Sequence, residues 1–241
     1  MTAQIVTAKK TTNPTIKMTL GSAALTAGIG LLIMVIAAPF AELYVFPKLV
    51  VLHNGAETAK NIIANKTLFI SAIFGYLITF ICDVVVAWAL YILLKPVNEH
   101  LSLLTALFRW VYTVIALIAL LNLVTVFRLL NTSEYSTVFP PNELDAQVML
   151  LLKSFRSNWY FGIIFFGIHL VLLGYLVFRS NYIPGILGIV LIITGLGYLL
   201  TTLRPYLFPN IDVDFAKYTY YGELIFMLWL LIKSSRIKES D

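Results

Sequence analysis

Four ionisable residues stand inside long apolar stretches of this chain: Asp83 in "FICDVVVAW", Arg109 in "LLTALFRWVY", His169 in "FFGIHLVLL" and Glu223 in "GELIFMLW". A charge at a bilayer centre costs roughly 2.5 to 3.5 kcal/mol on insertion scales, so such residues face the protein interior and pair. Counted at ~1.5 Å per residue from the ends of their apolar stretches, Asp83 lies ~18 Å deep, Arg109 ~12 Å, and His169 and Glu223 ~15 Å. Four titratable groups on four segments therefore share one layer near the midplane, and they are the candidate ligand-binding residues. In such a layer Arg109 would attract an anion, while Asp83, Glu223 and His169 would handle protons. A structural reading stands beside this one. An Asp83–Arg109 ion pair serves equally to lock two helices in register, and His169 reads as a satisfied core histidine. Glu42, Arg128 and Arg204 form a shallower set near the opposite ends, where snorkelling to the headgroups explains them; Glu42 and Arg204 are kept as secondary candidates.

The elements that must position these groups are set by composition. Of 241 residues, 60% are hydrophobic and 12% charged, with a mean hydropathy of +0.89, against roughly 25% charged in a soluble domain. The expectation is an all-α, polytopic transmembrane helical bundle of about six spans. The net charge of +5 excludes nucleic acid as a partner, because the basic residues sit at segment ends and in connections instead of on one face. They read as topology signal and lipid-headgroup contact. The single cysteine, Cys82, excludes an intrachain disulfide and reads as a small buried hydrophobe.

Apolar runs at about 20–41, 68–94, 101–127, 158–178, 183–203 and 216–232 are each long enough to cross a core of ~30 Å. The first exceeds the apolar region of a cleavable signal peptide, about 7 to 15 residues, and is expected to remain as a span. Residues 1–19 and 234–241 form polar tails. The connections "KPVNEH" and "RSNYIP" are tight, while 42–67, 128–157 and 204–215 are longer and more acidic. Both tails and the tight turns then fall on one side, with Lys9, Lys10, Lys17, Lys95, Arg179, Lys233, Arg236 and Lys238. The positive-inside rule makes that side the cytoplasm. Trp159, Tyr160, Tyr206, Tyr218, Tyr220 and Tyr221 fit an aromatic belt at the other edge. Residues 131–145, with "PP" and several capping residues, read as a turn leading to a short interfacial helix from Glu143. The second and fourth spans, each followed by a tight basic turn and another span, give two hairpins of like orientation.

Small and polar residues mark the inward faces. Ser71, Gly75, Thr79, Asp83 and Ala87 recur every four positions, as do Thr105, Arg109 and Thr113, and Thr219 and Glu223. Gly188, Gly195 and Thr202 mark a corresponding face of the fifth span, where close helix packing is the leading reading.

Several segments together carry a family pattern: "AELYVFP", "CDVVVAWALYILLKPVNEHLSLLTALFR", "FFGIHLVLLGYLVFRSNYIPGILG" and "GELIFMLWLLIK". In this order the chain resembles the domain-of-unknown-function family 4386, bacterial multi-spanning membrane proteins, from about residue 20 to 233. The resemblance implies one domain in a bacterial cytoplasmic membrane and brings no activity or substrate. It also places ionisable residues at Glu42, Asp83, Arg109, His169 and Glu223.

Several chemistries are excluded. An intramembrane zinc hydrolase needs about three converging ligands, yet His53 and His100 lie in connections on opposite sides, so no metal is expected. No Gly-rich phosphate loop, H-E-x-x-H helix or G-x-S-x-G turn occurs, and no cofactor is expected. The leading function is a polar midplane pocket that binds or passes a small molecule, proton or lipid headgroup. A membrane enzyme acting on a lipid or isoprenoid by acid–base chemistry and a non-catalytic scaffold are the alternatives, with catalysis ranked below binding. The expected partners are the bilayer and a small-molecule or lipid ligand, with a homo-oligomer left open.

Overall fold

The computed structural model describes residues 18–207 and 209–237. Most of the two polar tails, with Lys9, Lys10, Lys17 and Lys238, lies outside the described residues. The described chain forms α1 (Leu20–Leu49), α2 (Gly55–Ala64), α3 (Lys66–Leu94), α4 (Glu99–Asn131), α5 (Ser133–Val138), α6 (Pro141–Arg179), α7 (Gly185–Leu207) and α8 (Gly222–Lys233). Local chemistry sets the starts. Thr19, Asn54 and Asn98 each accept a backbone N–H of the first turn of α1, α2 and α4, which satisfies an otherwise orphaned donor. Pro141 opens α6 at the position where a missing N–H costs nothing.

Five of these helices, α1, α3, α4, α6 and α7, are long and apolar enough to cross a membrane. The sixth expected span is built differently. α8 has 12 residues, ~18 Å of helix, and is prolonged by 3-10 turns at Asp214–Thr219 and Ser234–Arg236. The break falls where Thr219 and Gly222 press against α7: the Thr194 hydroxyl donates to the Thr219 carbonyl at 2.7 Å.

Two connections expected as loops are largely helical. α1 runs past residue 41 because the chain absorbs Pro39 with a π turn at Phe40–Val45; proline removes a donor and crowds the carbonyl four residues back, and an inserted wide turn relieves both. The stretch 128–157 holds the end of α4, all of α5 and the first part of α6. α6 has 39 residues, ~58 Å of helix, so it outruns a ~30 Å core and its start packs on α2.

The six longest-range elements close into a ring. α1 packs on α3, α3 on α4, α4 on α6, α6 on α7, α7 on α8, and α8 returns to α1. Glycines let α6 approach α7 closely, where Gly174 faces Gly188 and Gly167 faces Gly195. A Cβ at Gly188 would stand 2.5 Å from the Gly174 carbonyl oxygen, so only hydrogen fits there. Outside the ring Ile36, Leu121, Ile186 and Ile232 are exposed, a surface suited to lipid. Tyr182, in the α6–α7 turn, donates to the Leu93 carbonyl at 2.5 Å. Burial pushes its phenol up to about 12, which keeps the proton on that bond.

Candidate functional site

The ring closes around Arg109, which is fully buried. Its Nε donates to Asp83 Oδ1 at 2.8 Å and its Nη2 meets the same oxygen at 2.7 Å. Nη1 donates to Glu223 Oε1 at 2.7 Å and lies 3.3 Å from His169 Nε2. Nη2 also faces Met34 Sδ at 3.9 Å. The four residues expected in one layer are therefore in mutual contact through one guanidinium.

The protonation of His169 follows from its partners. Its Nδ1 lies 2.8 Å from the Thr105 carbonyl, which only accepts, so Nδ1 carries the hydrogen and Nε2 offers its lone pair to Arg109. The guanidinium has five N–H groups, and the five partners Asp83 Oδ1 (twice), Glu223 Oε1, His169 Nε2 and Met34 Sδ use them all. Phe166 covers one face, with the guanidinium carbon 5.3 Å from its ring centre. Among the described residues each N–H of Arg109 is thus directed at a partner, the weakest being Met34 Sδ at 3.9 Å. The neighbouring threonines do not help the cluster, since Thr79, Thr105 and Thr113 each donate to a carbonyl four residues back on their own helix.

Asp83 is completely buried, yet its Oδ2 has no hydrogen-bond partner among the described residues. Asp83 lines a cavity of about 270 Å³. Of the four layer residues only Asp83 and Glu223 line this cavity; Arg109 and His169 lie behind them. Thr79, Tyr112, Trp159 and Tyr198 form its back wall, each displaced from the cluster toward the end of the ring that carries the long connections. The front is the α1–α8 seam. These helices touch closely at one end, where a Cβ at Gly21 would meet the Ser234 carbonyl at 2.9 Å and one at Gly28 would meet Leu231 at 3.0 Å. They part toward Met34, Val35, Tyr220 and Leu224, which line the cavity. Val35 is exposed on the outside of that gap.

The secondary candidates fare differently. Glu42, carried on the π turn, pairs with Arg156 at 2.7 Å and accepts from the Tyr76 hydroxyl at 2.5 Å, joining α1 to α3 and α6. Arg204 donates to the Ile211 carbonyl at 2.7 Å and holds the connection after α7; it lies outside the cluster. Among the described residues no three His, Cys, Asp or Glu side chains are grouped to hold a metal ion.

Residues not singled out for this site in the sequence complete it. Tyr112, whose hydroxyl accepts from Trp159 Nε1 at 2.9 Å, and Tyr198, stacked on Tyr220 with centroids 4.4 Å apart, line the cavity. Of the aromatics assigned to an outer belt, Tyr160, Tyr206, Tyr218 and Tyr221 are exposed, whereas Trp159 and Tyr220 turn inward to the cavity. Arg156 stood in an expected loop, and its acidic partner Glu42 was the available signal.

A ring of apolar helices around a buried ion cluster defines a polytopic helical membrane protein. The chain belongs to the family described as domain of unknown function (DUF4386), whose model matches residues 26–234. It is also 36% identical over 170 residues to an uncharacterized protein of Archaeoglobus fulgidus, covering 70% of this chain and 88% of that one. No solved structure matches the chain.

Proposed function

We propose that the chain binds or passes a small molecule at the midplane cavity, with Asp83 and Glu223 as its polar end and Arg109 and His169 as the residues that position them. One observation carries this reading: Asp83, whose buried Oδ2 has no partner among the described residues, lines a cavity of about 270 Å³ together with Glu223. A purely structural cluster would be satisfied by its own neighbours. An enzyme using all four residues has less support, because Arg109 and His169 do not reach the cavity. The membrane proposed is the cytoplasmic (plasma) membrane of a bacterial cell, although the relative in Archaeoglobus fulgidus gives the family a wider range. Both termini are proposed to face the cytoplasm. The close approach of Gly21 to Ser234 and the Tyr182–Leu93 bond support this, since they gather Lys95, Arg179, Lys233 and Arg236 at one end of the ring.

Native mass spectrometry of protein released from nanodiscs tests the binding reading. The wild type is expected to retain a small-molecule adduct that Ala38→Trp, which fills the cavity from α1, loses. Identical adduct spectra for the two proteins would contradict it.

A further inference from the structure

We infer that the ligand is a small organic ammonium ion with an apolar body, its charged head on Asp83 Oδ2 and Glu223 and its body between α1 and α8. This rests on the cavity reading above and adds the ligand's chemical class.

The charge of the cluster favours a cation. Asp83 and Glu223 share one guanidinium, and His169 contributes no charge, so the cluster keeps one formal negative charge. A buried carboxylate oxygen without a donor is costly; a group that brings N–H or O–H recovers the cost, and positive charge on that group also offsets the cluster's own charge. An anion meets the opposite situation: the two carboxylates line the cavity and Arg109 stands behind them.

The lining selects among cations. Tyr112, Trp159, Phe166, Tyr198 and Tyr220 line the same cavity as the two carboxylates, and aromatic rings attract ammonium groups most strongly where water is excluded. A hard metal cation is held chiefly by clustered carboxylate and carbonyl oxygens, and among the described residues no three His, Cys, Asp or Glu side chains are grouped to hold one. Size and access select further. About 270 Å³ lies below the ~300 to 1,000 Å³ typical of drug-sized sites, so the occupant is small. Leu31, Val35, Leu224 and Met227 on the facing sides of α1 and α8 give it an apolar bed that is entered from the lipid. An ethanolamine phospholipid offers the same ammonium, but its phosphate would sit against a net negative cluster.

Equilibrium dialysis of the full chain in detergent micelles tests the inference with hexylammonium, 1-hexanol and hexanoate, using Ala38→Trp as the blank for micelle partitioning. Hexylammonium is expected to bind above the blank at one per chain, at least about tenfold tighter than hexanol, with hexanoate at the blank level. Glu223→Gln, and independently Asp83→Asn, should weaken hexylammonium about tenfold and leave hexanol unchanged. Lysophosphatidylethanolamine should fail to displace bound hexylammonium. If hexanol binds as tightly as hexylammonium, or both carboxylate variants weaken the two alike, the cavity reading stands and the ammonium inference falls. Displacement by the lysolipid makes a lipid headgroup the occupant and also overturns it. If none of the three probes exceeds the blank, both readings fall together.

Discussion

Arg109 grips Asp83 by a single oxygen: Nε at 2.8 Å and Nη2 at 2.7 Å both meet Oδ1, and the buried Oδ2 is left without a partner among the described residues. A side-by-side Arg–carboxylate pair would use both oxygens. Here the second guanidinium edge is taken by Glu223 and His169, so the pair is turned and one acceptor stays open.

Arg109 is the hub, and its removal strands two carboxylates at once. Truncating one partner of a buried pair costs about 3 to 5 kcal/mol. Lys48, by contrast, lies at the end of α1 over the Tyr44 ring at 3.7 Å, a contact of about 0.5 to 1 kcal/mol at an exposed site. Arg109→Ala should therefore lower the melting temperature in detergent far more than Lys48→Ala. Equal melting temperatures would remove the hub from the account.

His169 holds Arg109 from behind while anchored to the Thr105 carbonyl. His169→Leu leaves one guanidinium N–H unmet in a dry interior, at about 1 to 3 kcal/mol. His169→Gln, which keeps an acceptor on a side chain of similar reach, should recover part of that loss in the same denaturation assay. A leucine variant as stable as wild type would make the contact incidental.

The α6–α7 seam gives a test of packing separate from the cluster. Gly188→Ala puts a methyl 2.5 Å from the Gly174 carbonyl, and overpacking typically costs about 1 to 3 kcal/mol. Gly185→Ala meets Phe178, its ring at 3.3 Å and its carbonyl oxygen at 3.7 Å, and should cost less. Thermal denaturation of the two variants side by side decides it; a tolerated Gly188→Ala would mean the helices are less close.

Much of this arrangement was legible in the sequence, and the limits have physical causes. Depth along a helix follows from counting residues, so the layer of Asp83, Arg109, His169 and Glu223 could be read directly. The rotational setting of each helix depends on its neighbours, so it was not legible that Arg109 and His169 lie behind the carboxylates. The inward turn of Trp159 and Tyr220 was hidden for the same reason, because an aromatic near a span end suits a headgroup belt equally well. Hydropathy marks where a helix is apolar and says little of where it stops, which is why α6 begins at Pro141 and not near 158. A proline absorbed by a π turn leaves no hydropathy signal either, so α1 was read as ending near residue 41 instead of at Leu49.

Orientation is checked by labelling single cysteines introduced into a Cys82→Ala background. A cysteine at Thr137, in α5 on the long-connection end, should react with a membrane-impermeant maleimide in intact cells. One at Asn181, in the α6–α7 turn, should react only after permeabilisation. The reverse pattern would place the termini outside.

A crystal structure of the chain grown from a lipidic mesophase decides whether the cavity lined by Asp83 and Glu223 receives a ligand. Non-protein density is expected within hydrogen-bond reach of Asp83 Oδ2, about 2.6 to 3.2 Å, with Arg109 still bridging Asp83 and Glu223. A closed, fully packed space in which a protein group satisfies Oδ2 would contradict that expectation.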